Sequence, residues 1–128
     1  MQESGEMYLE SIYVLSKEHG HVRSIDICEY RGYSKPSISR AVGLLKQSGH
    51  ILVDKDGYIT LTPSGLAIAE GIYERHTLLT QMLTGLGVSP EIAAEDACKM
   101  EHILSDETFA AIKQHMARFG SADTNHSN

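Results

Sequence analysis

The chain has 128 residues, 41% hydrophobic and 22% charged, with a formal net charge of -6. That suits one soluble globular domain, or two small layers sharing a core, and no stretch approaches the ~20 apolar residues of a membrane span. The two cysteines, Cys28 and Cys98, exclude a disulfide framework and a CxxC zinc knuckle; the acidic residues 1–6 lack the apolar core of a signal peptide, so the reducing cytoplasm is the expected compartment.

Residues 3–17 predict a helix, with Leu9, Ile12 and Tyr13 at helical spacing and Gly20 beyond its end. Residues 24–30 predict a short second helix with Ser24 as N-cap, and 31–33 a turn. Ser34 caps a third helix with Pro36 in its first turn, where a missing N–H is harmless. Ile38, Ala41, Val42 and Leu45 form its apolar stripe, and Gly49 stops it. The period then changes: residues 50–53 and 58–61 are β-rich around turn residues 54–57, which predicts a hairpin. Thr62 caps a long helix to about residue 84, with Leu66, Ala69, Ile72, Tyr73, His76, Leu79 and Leu83 on one stripe. Ser89-Pro90 opens a helix through Leu104, and Ser105 opens a last one to about Arg118. The fold class is therefore mainly α with a small β-hairpin. The chain is expected to divide into residues 1–62, three helices and the hairpin, residues 63–118, all helical, and a flexible tail over 119–128.

Charge is distributed unevenly. Residues 1–62 carry -1 and residues 63–128 carry -5, yet within residues 31–55 five basic side chains face one acid, Asp54. A locally basic middle and an acidic second half fit a chain that touches phosphate with one part and a cation with another. Chance clustering of solvated charges would look the same on charge alone.

Three helices followed by a hairpin is the order of a winged helix-turn-helix. In that motif the third helix enters the major groove N-terminal end first, which here reads Ser34-Lys35-Pro36-Ser37-Ile38-Ser39-Arg40. Short hydroxyls allow close approach to the backbone, a helix N-terminus attracts phosphate, and Lys35 and Arg40 can reach phosphates or guanine edges. Ser34, Lys35, Pro36, Ser37, Ser39 and Arg40 are the candidate DNA-binding residues. The partner is double-stranded DNA, although some winged helices serve only as protein-binding modules.

Cys98, Glu101 and His102 lie at i, i+3 and i+4, and share one face of a helix. Thiolate, carboxylate and imidazole are side chains that first-row divalent metals accept. Met7 and Glu10 lie at i, i+3 on the first helix, and His76 interrupts an apolar stripe. Taken singly, Met7 and Cys98 are equally core residues, His76 a hydrogen-bonded core histidine, and Glu101-His102 a solvated pair. By spacing alone only Cys98, Glu101 and His102 stand above background.

The segments Glu6-Met7-Tyr8-Leu9-Glu10, Ser34-Lys35-Pro36-Ser37-Ile38-Ser39, Leu61-Thr62-Pro63-Ser64-Gly65, Arg75-His76 and Ala97-Cys98-Lys99-Met100-Glu101-His102, with Leu104-Ser105-Asp106-Glu107, together resemble the diphtheria toxin repressor family of metal-dependent regulators. The resemblance covers residue 6 to about 116. It implies a homodimer whose subunits each carry an N-terminal winged helix and a helical dimerisation half, with metal binding that favours the DNA-binding arrangement. The iron-responsive branch carries a further SH3-like domain. This chain looks like the short, manganese-transport-regulator-like architecture without one.

The implied ligands are mixed. Met7, Cys98, Glu101 and His102 match the activating site of the iron branch, with Cys98 binding by sulfur or by its backbone carbonyl. Glu10 and His76 match the extra pair that gives the manganese branch a two-metal cluster. Of the iron branch's ancillary His, Glu, His set only His76 remains, with Thr80 and Ala94 at the other places. The resemblance thus leaves one or two metals per subunit open.

The function expected is a cytoplasmic, metal-activated repressor of metal-uptake genes acting on a pseudo-palindromic operator, and not an enzyme. A thioether and a thiolate favour Fe(II) slightly over Mn(II), with Zn(II) or Co(II) able to bind in vitro. Two rivals make different demands. A winged-helix regulator answering to an organic ligand, or to no metal, needs an apolar cavity and ignores chelators. A small metalloenzyme needs an open metal position beside a general base, as in HExxH, and that motif is absent.

Overall fold

A computed structural model describes the backbone of residues 3–120. Among them are six α-helices, one two-stranded antiparallel hairpin and a closing π-helical turn. The order is α1 (Glu3–His19), α2 (Ser24–Arg31), α3 (Lys35–Gln47), β1 (Ile51–Val53), β2 (Ile59–Leu61), α4 (Pro63–Gly85), α5 (Pro90–Met100), α6 (Asp106–His115) and the π turn Met116–Gly120. This is the mainly helical class with a hairpin that the sequence predicts. Of the tail expected over 119–128, residues 121–128 lie outside the described residues. No described helix is long and apolar enough to cross a membrane. The chain divides into two compact units, residues 1–71 and 72–128, with the division falling within α4.

In the first unit, α1 to α3 and the hairpin enclose a core of Leu9, Ile12, Leu15, Val22, Ile27, Ile38, Leu45, Ile51, Ile59 and Ala69. Each of the Leu, Ile and Val side chains contributes about 1.5–3 kcal/mol by leaving water. The second helix starts one residue earlier in its capping than expected. Arg23 is the N-cap, and its backbone N–H donates to Asp26 Oδ2 at 2.8 Å, so Ser24 is the first helical residue and caps nothing. Gly32, at φ 74°, takes the left-handed conformation that ends α2. Ser34 caps α3 as expected, with its hydroxyl accepting from the Ser37 N–H at 3.4 Å.

The hairpin pairs Ile51 with Leu61, Leu52 with Thr60 and Val53 with Ile59. Its turn is held by Asp54, whose Oδ1 accepts from the N–H groups of Asp56 and Tyr58, each at 2.9 Å. Thr62 joins hairpin to helix. Its hydroxyl donates to the Gly49 carbonyl at 2.7 Å and accepts from the Gly65 N–H at 3.2 Å. Gly65 has no alternative, because a Cβ there would overlap the His50 carbonyl oxygen.

In the second unit Ile72, Leu79, Ala93, Ala97 and Phe109 are buried. Leu66 and Tyr73, expected on the buried stripe of α4, are exposed instead at 39% and 40%. Helix α5 is shorter than expected: it ends at Met100 and not at Leu104, with Glu101 as its C-cap. Ser105 then caps α6 by accepting from the Thr108 N–H at 3.1 Å.

Candidate metal centre and nucleic-acid interface

The early end of α5 creates the main feature of the second unit. Glu101 keeps helical dihedrals (φ -61°, ψ -24°) and its N–H donates to the Ala97 carbonyl at 2.9 Å, so its side chain leaves in the direction the helix would give it. The chain then turns, with Ile103 and Leu104 N–H groups donating to the Met100 carbonyl at 3.1 and 3.2 Å. Arg75 on α4 holds this turn: its Nη1 donates to the carbonyls of Glu101 (3.2 Å) and Leu104 (2.7 Å), and its Nη2 meets Asp106 Oδ1 at 2.6 Å.

Glu101 is completely buried. Its Oε2 lies 3.1 Å from His76 Nδ1 and its Oε1 lies 3.3 Å from His102 Nε2. The His102 side chain is fully buried and that of His76 is 29% exposed. A carboxylate removed from water is costly unless a cation or several donors compensate it. Among the described residues no hydrogen bond reaches Oε1. Ligands of one transition metal sit roughly 3.0–3.4 Å apart when their bonds are about 2.1 Å, which is the spacing of these atoms. Glu101 therefore stands at metal-ligand spacing from His76 through one oxygen and from His102 through the other. Each carboxylate oxygen has its own imidazole, which also suits a carboxylate shared by two cations.

The other expected ligands are placed as follows. Cys98 is a half-buried cysteine in the last turn of α5. Met7 and Glu10 are on α1 in the first unit. Glu10 is 4% exposed, with Arg31 Nη2 3.7 Å from its Oε1. Arg31 Nε also donates to Ser11 Oγ at 2.6 Å, and that hydroxyl donates to the Met7 carbonyl at 2.8 Å. The Met7 thioether is engaged as well, because the Tyr33 hydroxyl donates to Sδ at 2.9 Å. Tyr33 packs edge-on against Tyr8, with ring centroids 5.7 Å apart. Burial, then the neighbouring Tyr33 and Cys28, hold the Tyr8 phenol above its ordinary range, with Arg40 acting against them. Sequence reasoning assigned no role to Tyr33, Arg31 or Arg75. Only Arg75 carried a signal, as the neighbour of His76.

The helix α3 presents a separate surface. Ile38 and Leu45 are buried and anchor it. Ser34, Lys35, Pro36, Ser37, Ser39 and Arg40 are all exposed. The first turn contains no acid, so Lys35 and the partial positive charge of the helix N-terminus add together there. All six candidate DNA-binding residues thus share one solvent-facing end of a helix anchored in a core. The hairpin exposes Lys55 at its turn.

Comparison with known proteins matches each half of the chain to a separate family model. Residues 1–63 match the model of the iron dependent repressor N-terminal DNA binding domain. Residues 62–125 match that of the iron dependent repressor metal binding and dimerisation domain. The chain is 36% identical over 115 residues to the transcriptional regulator MntR of Salmonella typhimurium strain LT2, covering 90% of this chain and 73% of that one. It is 32% identical over 103 residues to the diphtheria toxin repressor of Corynebacterium diphtheriae, covering 80% of this chain and 46% of that one. A solved manganese-dependent transcriptional repressor in complex with manganese superposes with a TM-score of 0.80 at 28% identity, over 88% of this chain and 52% of that one. The chain thus spans about half the length of the diphtheria toxin repressor and of that solved chain. With matched models for both halves and a relative above 30% identity, the chain belongs to the iron-dependent repressor family of metal-responsive, DNA-binding transcriptional regulators.

Proposed function

We propose that this protein is a cytoplasmic, metal-activated repressor of metal-uptake genes, without enzymatic activity, that binds a pseudo-palindromic operator as a homodimer. The observation that carries the reading is Glu101, fully buried with each carboxylate oxygen against a different imidazole. When bound, a divalent metal supplies the positive charge that this carboxylate lacks. The proposed ligands are Met7, Glu10, His76, Cys98, Glu101 and His102. Glu101 and His102 act for any metal, and the separate carboxylate oxygen facing His76 supports a second ion. The soft sulfurs of Met7 and Cys98 favour Fe(II) slightly over Mn(II), with Zn(II) and Co(II) binding in vitro.

DNA recognition is assigned to Ser34, Lys35, Pro36, Ser37, Ser39 and Arg40, whose exposure at the start of α3 supports it. Residues 1–62 carry this role, and residues 63–118 carry dimerisation and four of the six proposed ligands. Exposed Leu86 (75%), Ile92 (48%) and Ile103 (73%) support a subunit interface in the second half.

The test is equilibrium binding of duplexes selected from a randomised pool, with Fe(II), Mn(II), Co(II) or Zn(II) and then with excess chelator. The expected result is dimer-dependent binding that the chelator reverses. Binding insensitive to metal and chelator would overturn the reading in favour of an organic-ligand or constitutive regulator.

A further inference from the structure

We propose that Arg75 is a positioning residue of the metal centre, holding Glu101 and His102 in register with His76. The inference rests on the metal-binding reading above and deepens it.

Helix α5 ends with carbonyls that lack intrahelical donors. The turn beyond its end adds the carbonyls of Glu101 and Leu104, and Arg75 reaches both through a single nitrogen. These carbonyls bracket His102, so the guanidinium fixes the backbone on both sides of that imidazole as well as at the carboxylate residue. The guanidinium is fixed in turn. Its second terminal nitrogen pairs with Asp106 Oδ1 at 2.6 Å, and its carbon lies 5.1 Å from the centre of the Phe109 ring. The side chain is only 14% exposed, which strengthens its hydrogen bonds over those of a surface arginine.

Arg75 also precedes His76 on α4. One dipeptide therefore supplies an imidazole to Glu101 and a clamp to the turn that carries Glu101 and His102. The spacing between Nδ1 of His76 and Oε2 of Glu101, 3.1 Å, depends on that turn remaining in place. A lysine could neutralise Asp106 or reach one carbonyl. It lacks the planar fork needed to serve all three acceptors. A generic helix-end cation would answer the dipole of α5 without ordering both sides of a ligand residue.

The test is an anaerobic Co(II) titration of the full chain, comparing wild type with Arg75→Met, Arg75→Lys and Asp106→Ala. Affinity is read by chelator competition, the ligand field by the visible spectrum at saturation, and folding by thermal melts without metal. Arg75→Met is expected to lose about 10–100-fold in affinity, as removal of a group that orients a ligand does, and to change the spectrum even when fully loaded. A merely structural arginine would lower the melting temperature and leave the saturated spectrum as in wild type. Arg75→Lys should restore part of the affinity. If Arg75→Met does not fold, Asp106→Ala decides: it keeps the guanidinium but removes its anchor, and should lose about twofold or more with an altered spectrum. Wild-type affinity and spectrum in a folded Arg75→Met, or in Asp106→Ala if that variant has to decide, overturn the proposal alone. A wild-type chain that takes up no Co(II) overturns the metal reading and the proposal with it.

Discussion

The Tyr33 hydroxyl donates to the thioether sulfur of Met7 at 2.9 Å, joining α1 to the residue just before the N-cap of α3. The candidate soft ligand and the start of the candidate recognition helix are therefore tied within one unit. Breaking that hydrogen bond costs about 0.5–1.5 kcal/mol. If the sulfur must leave Tyr33 to reach metal, Tyr33→Phe should raise metal affinity about two- to tenfold. Isothermal titration with Co(II) reads this directly, and unchanged affinity would show that Met7 does not exchange Tyr33 for metal.

Arg40 is exposed in the first half of α3, among the residues proposed to bind DNA. Arg40→Ala is expected to cost ~1–3 kcal/mol of DNA affinity and to relax preference at one position per half-site. Ser37→Glu places a carboxylate where phosphate is expected and should weaken binding at every sequence. Fluorescence anisotropy on matched and altered duplexes checks both. Unchanged affinity in the two variants would remove α3 from the interface.

Two glycines provide opposite tests of packing. A Cβ on Gly65 would overlap the His50 carbonyl, whereas one on Gly43 meets nothing within 4 Å. Gly65→Ala should destabilise the chain by about 1–3 kcal/mol, as overpacking does. Gly43→Ala, within α3, should stabilise it by about 0.5–1 kcal/mol. Urea melts of both variants measure the contrast, and equal effects would show that the α4 entry is looser than described.

Met7 is the proposed ligand expected to separate Fe(II) from Mn(II). A neutral thioether disfavours Mn(II), which prefers carboxylate oxygen, so Met7→Asp should shift the response toward Mn(II). If a two-metal cluster forms, His76→Ala should lower the bound stoichiometry by one metal per subunit while the chain stays folded. Anaerobic titrations with Fe(II) and Mn(II) check both. Identical responses of wild type and Met7→Asp would make Met7 a packing residue.

Periodicity and caps made most of this fold legible in the sequence. Ser34-Lys35-Pro36 gave the start of α3, Thr62-Pro63 that of α4 and Ser105 that of α6, because each signal is local. Ser24 misled because Asp26 accepts from the Arg23 N–H, which makes Arg23 the N-cap and places Ser24 inside the first turn. The end of α5 was illegible for another reason. It depends on Arg75, 26 and 29 residues away from the carbonyls it binds. The i, i+3, i+4 spacing still located Glu101 and His102, since Glu101 retains helical dihedrals past the last hydrogen-bonded turn. The Tyr33–Met7 bond left no sequence signal, because a tyrosine in a turn is ordinary.

Metal-dependent DNA binding through Glu101 is tested most directly by anisotropy of a duplex selected with the wild-type protein. Wild type, Glu101→Ala and His102→Ala are each titrated with Mn(II) and with anaerobic Fe(II). Wild type should bind tightly only with metal, and both variants should stay at the metal-free baseline for either metal while keeping their thermal transitions. Metal-stimulated binding by a folded Glu101→Ala, equal to that of wild type, would contradict the account.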